Sequence, residues 1–392
     1  MLLHRALSYL AATTVLLALA SPPQDVVARS ADAASRTTVA ADRVVTAAPS
    51  GDHTARGTKV MRAGSSSSEL AGTWGVYQGP ADMAWSAYDK ASKSRKRELQ
   101  WFIDQPRAGW MGAWIPDREI AARTRKYIEL SQHGDPEALV QMTIFRMDPW
   151  YTASQTQVPT KKQVRSYKRW IRRSARAIGD TPTALMLQPD ATFLRTVPNF
   201  KKSAGLIRFA AKRYGALPNT RVYLETGGWD WPAPGQGGVD EAVRLLAAMG
   251  MRHADGVVTN TTHYNRTEWD VRRIADIVRA FEARGTTGLK GIVNTSSNGN
   301  GFEFGRYDGP DPDHARVCRK PGQRGMCVTL GIPPTTDVAH PAWGLDEETR
   351  ALAEQYVDAY MWVGRPWLKR QNSPFMMRRT RHLVASSPFR GM

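Results

Sequence analysis

Acidic residues and cysteines are what this 392-residue chain has least of. Asp and Glu total 36 against 54 Lys and Arg, a formal net charge of +18. Such an excess favours anionic partners such as nucleic acid, a teichoic-type polymer or an acidic polysaccharide. No nucleic-acid motif accompanies it, and the arginines are spread along many helical faces, so a solvated basic surface with no nucleic-acid partner is expected. The two cysteines, Cys318 and Cys327, have no metal-ligand spacing, so no metal site is expected. In an exported protein they read as a disulfide closing a small loop rich in Pro, Gly, Arg and Asp. No G-x-G-x-x-G opens a helix after a strand, which removes the support for a dinucleotide site, and no cofactor is expected.

A comfortable membrane span is also missing. Residues 1–20 carry His4 and Arg5, a short apolar run through Leu16, Leu17 and Leu19, and an Ala18-Leu19-Ala20 exit. That pattern predicts a cleaved secretory signal, with an uncleaved anchor as the alternative. Residues 21–70 are Ala, Ser, Thr, Val and Arg with few large apolar side chains, including Ser65-Ser66-Ser67-Ser68. They predict a disordered linker. Residues 71–392 suit one large domain of α/β-barrel size, secreted, monomeric and free of the membrane after cleavage.

Within that domain, apolar runs of strand length alternate with amphipathic helical stretches. A single helix is expected over about 81–103, then strand 110–115 and helix 118–133. Strand 140–145, helix 161–178, strand 184–187 and helix 199–214 follow. Next come strand 220–224, helix 239–249, strand 256–259, helix 268–284, strand 290–293, a long loop, helix 346–357 and strand 359–363. This order predicts a parallel (β/α) barrel, with a doubly wound open sheet as the alternative.

In such folds the chemistry lies where strands end. Leu187-Gln188-Pro189-Asp190 puts a carboxylate directly after a strand stopped by proline. Asp190 reads either as a site residue or as an ordinary helix N-cap. The other strand ends carry Trp114, Asp148-Pro149-Trp150, Glu225 with Trp229 and Trp231, Thr259-Asn260, Asn294 with Asn298, and Trp362 with Arg365-Pro366-Trp367. Tryptophan faces stack on the CH face of a pyranose, and amides and carboxylates meet its hydroxyls. Each tryptophan is otherwise accounted for by core packing.

These segments resemble glycoside hydrolase family 6, the endoglucanases and cellobiohydrolases that cut β-1,4-glucan with inversion. Gln188-Pro189-Asp190 is similar to the family's Glu-Pro-Asp, and Tyr223-Leu224-Glu225-Thr226-Gly227 to its Tyr-x-Asp-Ala-Gly. Val258-Thr259-Asn260-Thr261-Thr262-His263-Tyr264, Asn294-Thr295-Ser296 and Val357-Asp358-Ala359-Tyr360-Met361-Trp362 also match in order. The resemblance implies a single-domain, distorted seven-stranded parallel barrel.

It implies further that Asp190 is the general acid of a secreted glucanase hydrolysing a cellulose-like polysaccharide. An inverting enzyme needs a second carboxylate across a gap of about 6.5–9.5 Å. Here the family's acidic neighbours are largely replaced: its Glu before Pro-Asp is Gln188, its Asp before Thr-Ser is Asn294, and its base position is Arg370. Asp148 is the expected partner of Asp190, and Glu225 is either a further catalytic carboxylate or a holder of its loop. Asn260, Asn294, Trp114, Trp229, Trp231 and Trp362 are the expected substrate contacts. The rival reading is a catalytically silent carbohydrate-binding protein on the same scaffold, and the cleft's lost negative charge suits a uronic-acid or phosphate-decorated polymer.

Truncation tests the domain boundary. Deleting residues up to about Ser68 is expected to leave the melting temperature unchanged, because that segment has no core to contribute. A large drop on deletion would show that it packs against the domain.

Overall fold

The computed structural model describes residues 68–147 and 158–392. The expected signal, most of the linker and the Asp148 loop lie outside the described residues. Seven parallel strands follow one another in space in sequence order, so every neighbour in the sheet is also the next strand in the chain. They are β1 (Gly109–Gly112), β2 (Val140–Phe145), β3 (Thr183–Leu187), β4 (Thr220–Glu225), β5 (Gly256–Thr259), β6 (Lys290–Asn294) and β7 (Val357–Met361). The sheet curls into the expected distorted barrel, and the open-sheet alternative falls away.

The curl nearly closes. The segment before β1 bridges in parallel to the segment after β7 at Arg107 and Trp362. There the Ala108 N–H donates to the Trp362 carbonyl at 3.0 Å, and Trp110 Nε1 donates to the Val363 carbonyl at 2.7 Å. Strand alternation then sorts the side chains. Ala184, Met186, Tyr223, Val258, Ile292, Ala359 and Met361 form one buried cluster with Leu70 and Trp74, filling the barrel. Leu185, Leu187, Val222, Leu224, Val257 and Val293 belong to a second cluster under the surrounding helices. Both faces are covered, so the strands read as near-continuous apolar runs.

The surrounding helices are α1 (Met83–Asp89), α2 (Lys93–Ile103), α3 (Ile120–Gln132), α4 (Lys161–Ile178) and α5 (Phe200–Tyr214). The chain continues with α6 (Gly238–Met249), α7 (Thr267–Glu282), α8 (Glu347–Tyr356) and α9 (Met377–Ser386). In α4 a Thr160–Gln163 capping box sets the start, and Tyr167, Trp170, Ile171, Ser174, Ala175 and Ile178 face inward. Arginines and lysines occupy much of its other face.

Four expectations are corrected. The single helix over 81–103 is two, because the Ser92 hydroxyl accepts the Arg95 N–H and caps a new start. β1 ends at Gly112, two residues short of Trp114. Helix α9 was not expected at all; it packs on α2 beside the long loop that the Cys318–Cys327 disulfide staples. The linker does not reach residue 70 either. Leu70 is 1 % exposed inside the barrel, the Ser68 hydroxyl donates to Asp358, and Glu69 pairs with Arg221 at 2.6 Å.

Leu70 therefore behaves as a core residue. Leu70→Ala is expected to cost about 2–5 kcal/mol in chemical denaturation, as large-to-small core changes do. An unchanged midpoint would return the residue to the linker.

Candidate active site

The carboxyl ends of β3, β4, β5 and β6 continue the inward parity of the barrel, and this is where polar residues replace the apolar run. Glu225 ends β4, 1 % exposed. One oxygen accepts the Ala191 N–H at 3.1 Å; the other accepts the Gly227 N–H at 2.8 Å and the Thr261 hydroxyl at 3.3 Å. A single carboxyl thus ties the turn after β3 to the loops after β4 and β5. Burial, with the charge of Asp190 second, pushes its pKa well above the usual carboxylate range.

The residue that Glu225 anchors follows Asp190 directly. Asp190 precedes a short 3-10 turn, Ala191–Arg195, in the left-handed region (φ 62°), and its side chain makes no capping hydrogen bond. The N-cap alternative accounts for its position in the chain but not for its carboxylate. Half-buried, that carboxylate instead accepts the Thr262 hydroxyl at 2.9 Å. Seven described non-glycine residues have positive φ, and Gln188, Asp190, Asn260, Arg370 and Gln371 are five of them. Such strain gathers where the surrounding structure over-determines a functional geometry.

The expected contacts divide by exposure. Trp114 is 54 % exposed, its ring folded back over Gly112, where a Cβ would stand 2.3 Å from it. Trp229 and Trp231 are half-buried. Trp231 stacks flat on His263 (5.2 Å, 8°), which stacks on Phe304. Asp230 locks this layer, accepting from Asn265 and the Phe304 N–H and pairing with His263 Nδ1 at 2.7 Å. Although burial opposes it, these partners hold the Asp230 carboxyl below its ordinary pKa.

Asn260, Asn294 and Trp362 sit beneath the cleft surface. Asn294 Oδ1 accepts three backbone N–H groups, of Ser296, Val363 and Gly364, while its Nδ2 donates to the Asn260 carbonyl at 2.7 Å. Asn260 uses its amide on Asn265 and on the Asn294 carbonyl. Trp362 is 1 % exposed, donates to the Ile332 carbonyl and packs against Trp101 and Phe102. The structure gives these three framework contacts in place of an open face for a sugar, because the loops after β5, β6 and β7 fold over them.

Thr262, which was given no role from the sequence, completes the wall with Arg370 and Arg365. Thr262 holds Asp190, and its own carbonyl accepts Gln371 Nε2 at 2.7 Å. Arg370 pairs with Asp311 of the long loop at 2.8 Å. Arg365 lies over the Trp110 ring at 4.1 Å and lines, with Trp110 and Trp114, a cavity of about 250 Å³. Desolvation pushes its guanidinium down to about 10, against the pull of Asp190 and Asp82. The available signal was position, since Arg365 follows β7 closely and Thr262 follows β5. Among the described residues no group of His, Cys, Asp and Glu is arranged to hold a metal.

The family model of glycosyl hydrolases family 6 matches residues 76–367. The chain belongs to glycosyl hydrolase family 6. Endoglucanase 1 of Streptomyces sp. (strain KSM-9) is 27 % identical over 267 residues, covering 67 % of this chain and 63 % of that relative. Endoglucanase A of Cellulomonas fimi is 27 % identical over 231 residues, 58 % of this chain and 48 % of the relative. The matches thus span less than two thirds of those relatives' lengths.

Among solved structures, the endoglucanase Cel6 of Mycobacterium tuberculosis, in complex with a thio-linked cellobioside, shares the fold at a TM-score of 0.62 and 21 % identity. The match covers 81 % of this chain and 98 % of that one. The catalytic core of the Chaetomium thermophilum cellobiohydrolase Cel6A matches at 0.56 and 16 %, over 80 % and 98 %. Two amides stand in this polar framework. Gln188 is fully buried with its Oε1 on the Met147 N–H, and Asn294 uses a donor that an aspartate would lack.

The raised pKa of Glu225 has a direction for stability. Folding favours the protonated form, so its contribution is complete below the ordinary value of 4.5 and is lost as pH rises through the raised one. Glu225→Gln costs about 1–3 kcal/mol, because an amide N–H₂ then meets a backbone donor. It is expected to lose less stability than wild type as pH rises from about 5, read by thermal melts across pH. Other buried carboxyls, Asp270 and Asp358, are present in both proteins and cancel in the difference. Parallel pH profiles would assign Glu225 an ordinary pKa.

Proposed function

We propose that this family 6 member is a secreted glucanase that hydrolyses O-glycosidic bonds of a β-1,4-linked, cellulose-like polysaccharide by inversion, with Asp190 as general acid. The observation that carries the reading is the Asp190 carboxylate, held at the end of β3 by the Thr262 hydroxyl and by a turn that Glu225 fixes. Asp148, outside the described residues, is proposed as the partner that tunes this acid, and Glu225 as its positioning residue. Trp114, Trp229 and Trp231 offer the partly exposed rings on which sugar units would stack. The leader-like pattern of residues 1–20 supports the secretion reading.

A second reading, a carbohydrate-binding protein with little or no turnover, is favoured by one contact. The family's base position holds Arg370, and its guanidinium grips Asp311 at 2.8 Å. A guanidinium donates hydrogen bonds and accepts none, so a base position held by arginine offers no acceptor for a proton from water.

Asp190→Asn separates the readings, since it removes the proton donor and nearly keeps shape. Hydrolysis of an unactivated glucan is expected to fall by about 10²–10⁴-fold, and a substrate with a good leaving group to suffer much less. Equal rates with equal melts would remove Asp190 from the chemistry, and turnover in neither protein would establish the silent binder.

A further inference from the structure

Nearly every cation around the cleft has its anion or its carbonyls. Arg107 donates to Asp82 and to the carbonyls of Phe102, Ile103 and Gln105, capping the end of α2. Arg370 has Asp311. Arg365 has no such partner. Its side chain makes no hydrogen bond or ion pair with any described residue, and its Nε is closed off from solvent without an acceptor. Asp82, on the same cavity, is already engaged on both oxygens, by the Ala84 N–H and by Arg107. What holds Arg365 in place is the Trp110 face beneath it, 4.1 Å from the ring centre, while the Trp110 Nε1 is tethered to the Val363 carbonyl.

An unsatisfied, partly desolvated cation is costly to keep unless something arrives to satisfy it. A guanidinium already held flat against an indole loses little freedom when it binds, and its fork of donors matches a carboxylate edge-on. Neutral sugar hydroxyls can accept from it but cannot neutralise it. The cavity beside it also presents Trp110 and the exposed Trp114, ring faces suited to a pyranose. A carboxylate fixed to a pyranose ring would meet both features at once, which a free anion would not.

We propose that Arg365 is a specificity residue for a uronic acid unit: the cleft takes a β-linked polymer carrying carboxylates, one of which docks edge-on to Arg365 above Trp110. This rests on the glycan reading above and narrows its substrate. The basic surface of the +18 chain favours the approach of such a polyanion.

The test is calorimetric binding of a β-1,4-linked glucuronate tetrasaccharide and of cellotetraose, at about 0.15 M salt where diffuse attraction is screened. Wild type is expected to prefer the acidic tetramer by about 10- to 100-fold, the range of a charge-assisted pair. Arg365→Met should bring that ratio close to one, and Arg365→Lys, charged but without the fork, should fall between. Melts check folding, and Arg365→Gln supplies the neutral variant if the methionine one does not fold. No preference in wild type, or a preference that survives in the neutral variant, overturns the proposal. So does equal displacement of the acidic tetramer by inorganic phosphate, which would mark a general anion site. Cellotetraose bound without preference would leave the glucan reading standing, whereas binding of neither sugar would sink both.

Discussion

The cleft depends on one buried carboxyl. Glu225 closes the end of β4 and gathers an N–H from the turn after β3, an N–H from its own loop and a hydroxyl from the loop after β5. Three strand ends are thereby fixed to a single side chain, and the Asp190 backbone is held in a conformation that it would rarely adopt alone. Removing that acceptor would leave three buried donors without their partner. Asn294 performs the corresponding task for β6 and β7, with a donor and an acceptor in one amide. Glu225 and Asn294 are each fully engaged, and that is why the catalytic candidate can stand on turns and still be positioned.

The electrostatic balance of this framework leans on amides and arginines as well as on carboxylates. Gln188 and Asn294 are neutral where the family resemblance places acids, and Arg365 and Arg370 stand on the wall after β7. Burying Gln188 in place of a glutamate avoids a second desolvated charge close to Asp190. Among the described residues Asp190 has the buried Glu225 and the cation Arg365 within electrostatic reach, and the Arg365 side chain lacks an internal partner.

Much of this was legible because parallel strands covered on both faces announce themselves as apolar runs, and the inward parity carries on past each strand into the loop. Asp190, Glu225, Asn260 and Asn294 stand out in the sequence because each closes or follows such a run. What was not legible was which of these face the cleft and which rivet the loops beneath it. Asn260 and Trp362 are closed over by segments distant in sequence, and no local pattern records that. Ser92 breaking a helix is a local signal, yet the amphipathic pattern runs through it. Leu70 looked like linker because its partners, Met186, Tyr223 and Ile292, lie on three other strands. Arg365 was visible as a strand-end residue, but its role depends on Trp110, more than 250 positions earlier.

That last distance has a consequence for how the barrel holds together. Strands β1 to β7 pair in sequence order, so the sheet can be assembled by successive neighbours, leaving only the join between its first and last strands to be made across nearly the whole domain. The Ala108–Trp362 hydrogen bond, the Trp110–Val363 tether and the Arg365–Trp110 contact all lie on that join. A molecule bound to Arg365 and Trp110 together would touch both sides of it and would find its site only where the two ends of the sheet meet. By mass action such a ligand would add its binding free energy to a join that these contacts already make, so occupancy of the cleft would stabilise the closed ends of the sheet.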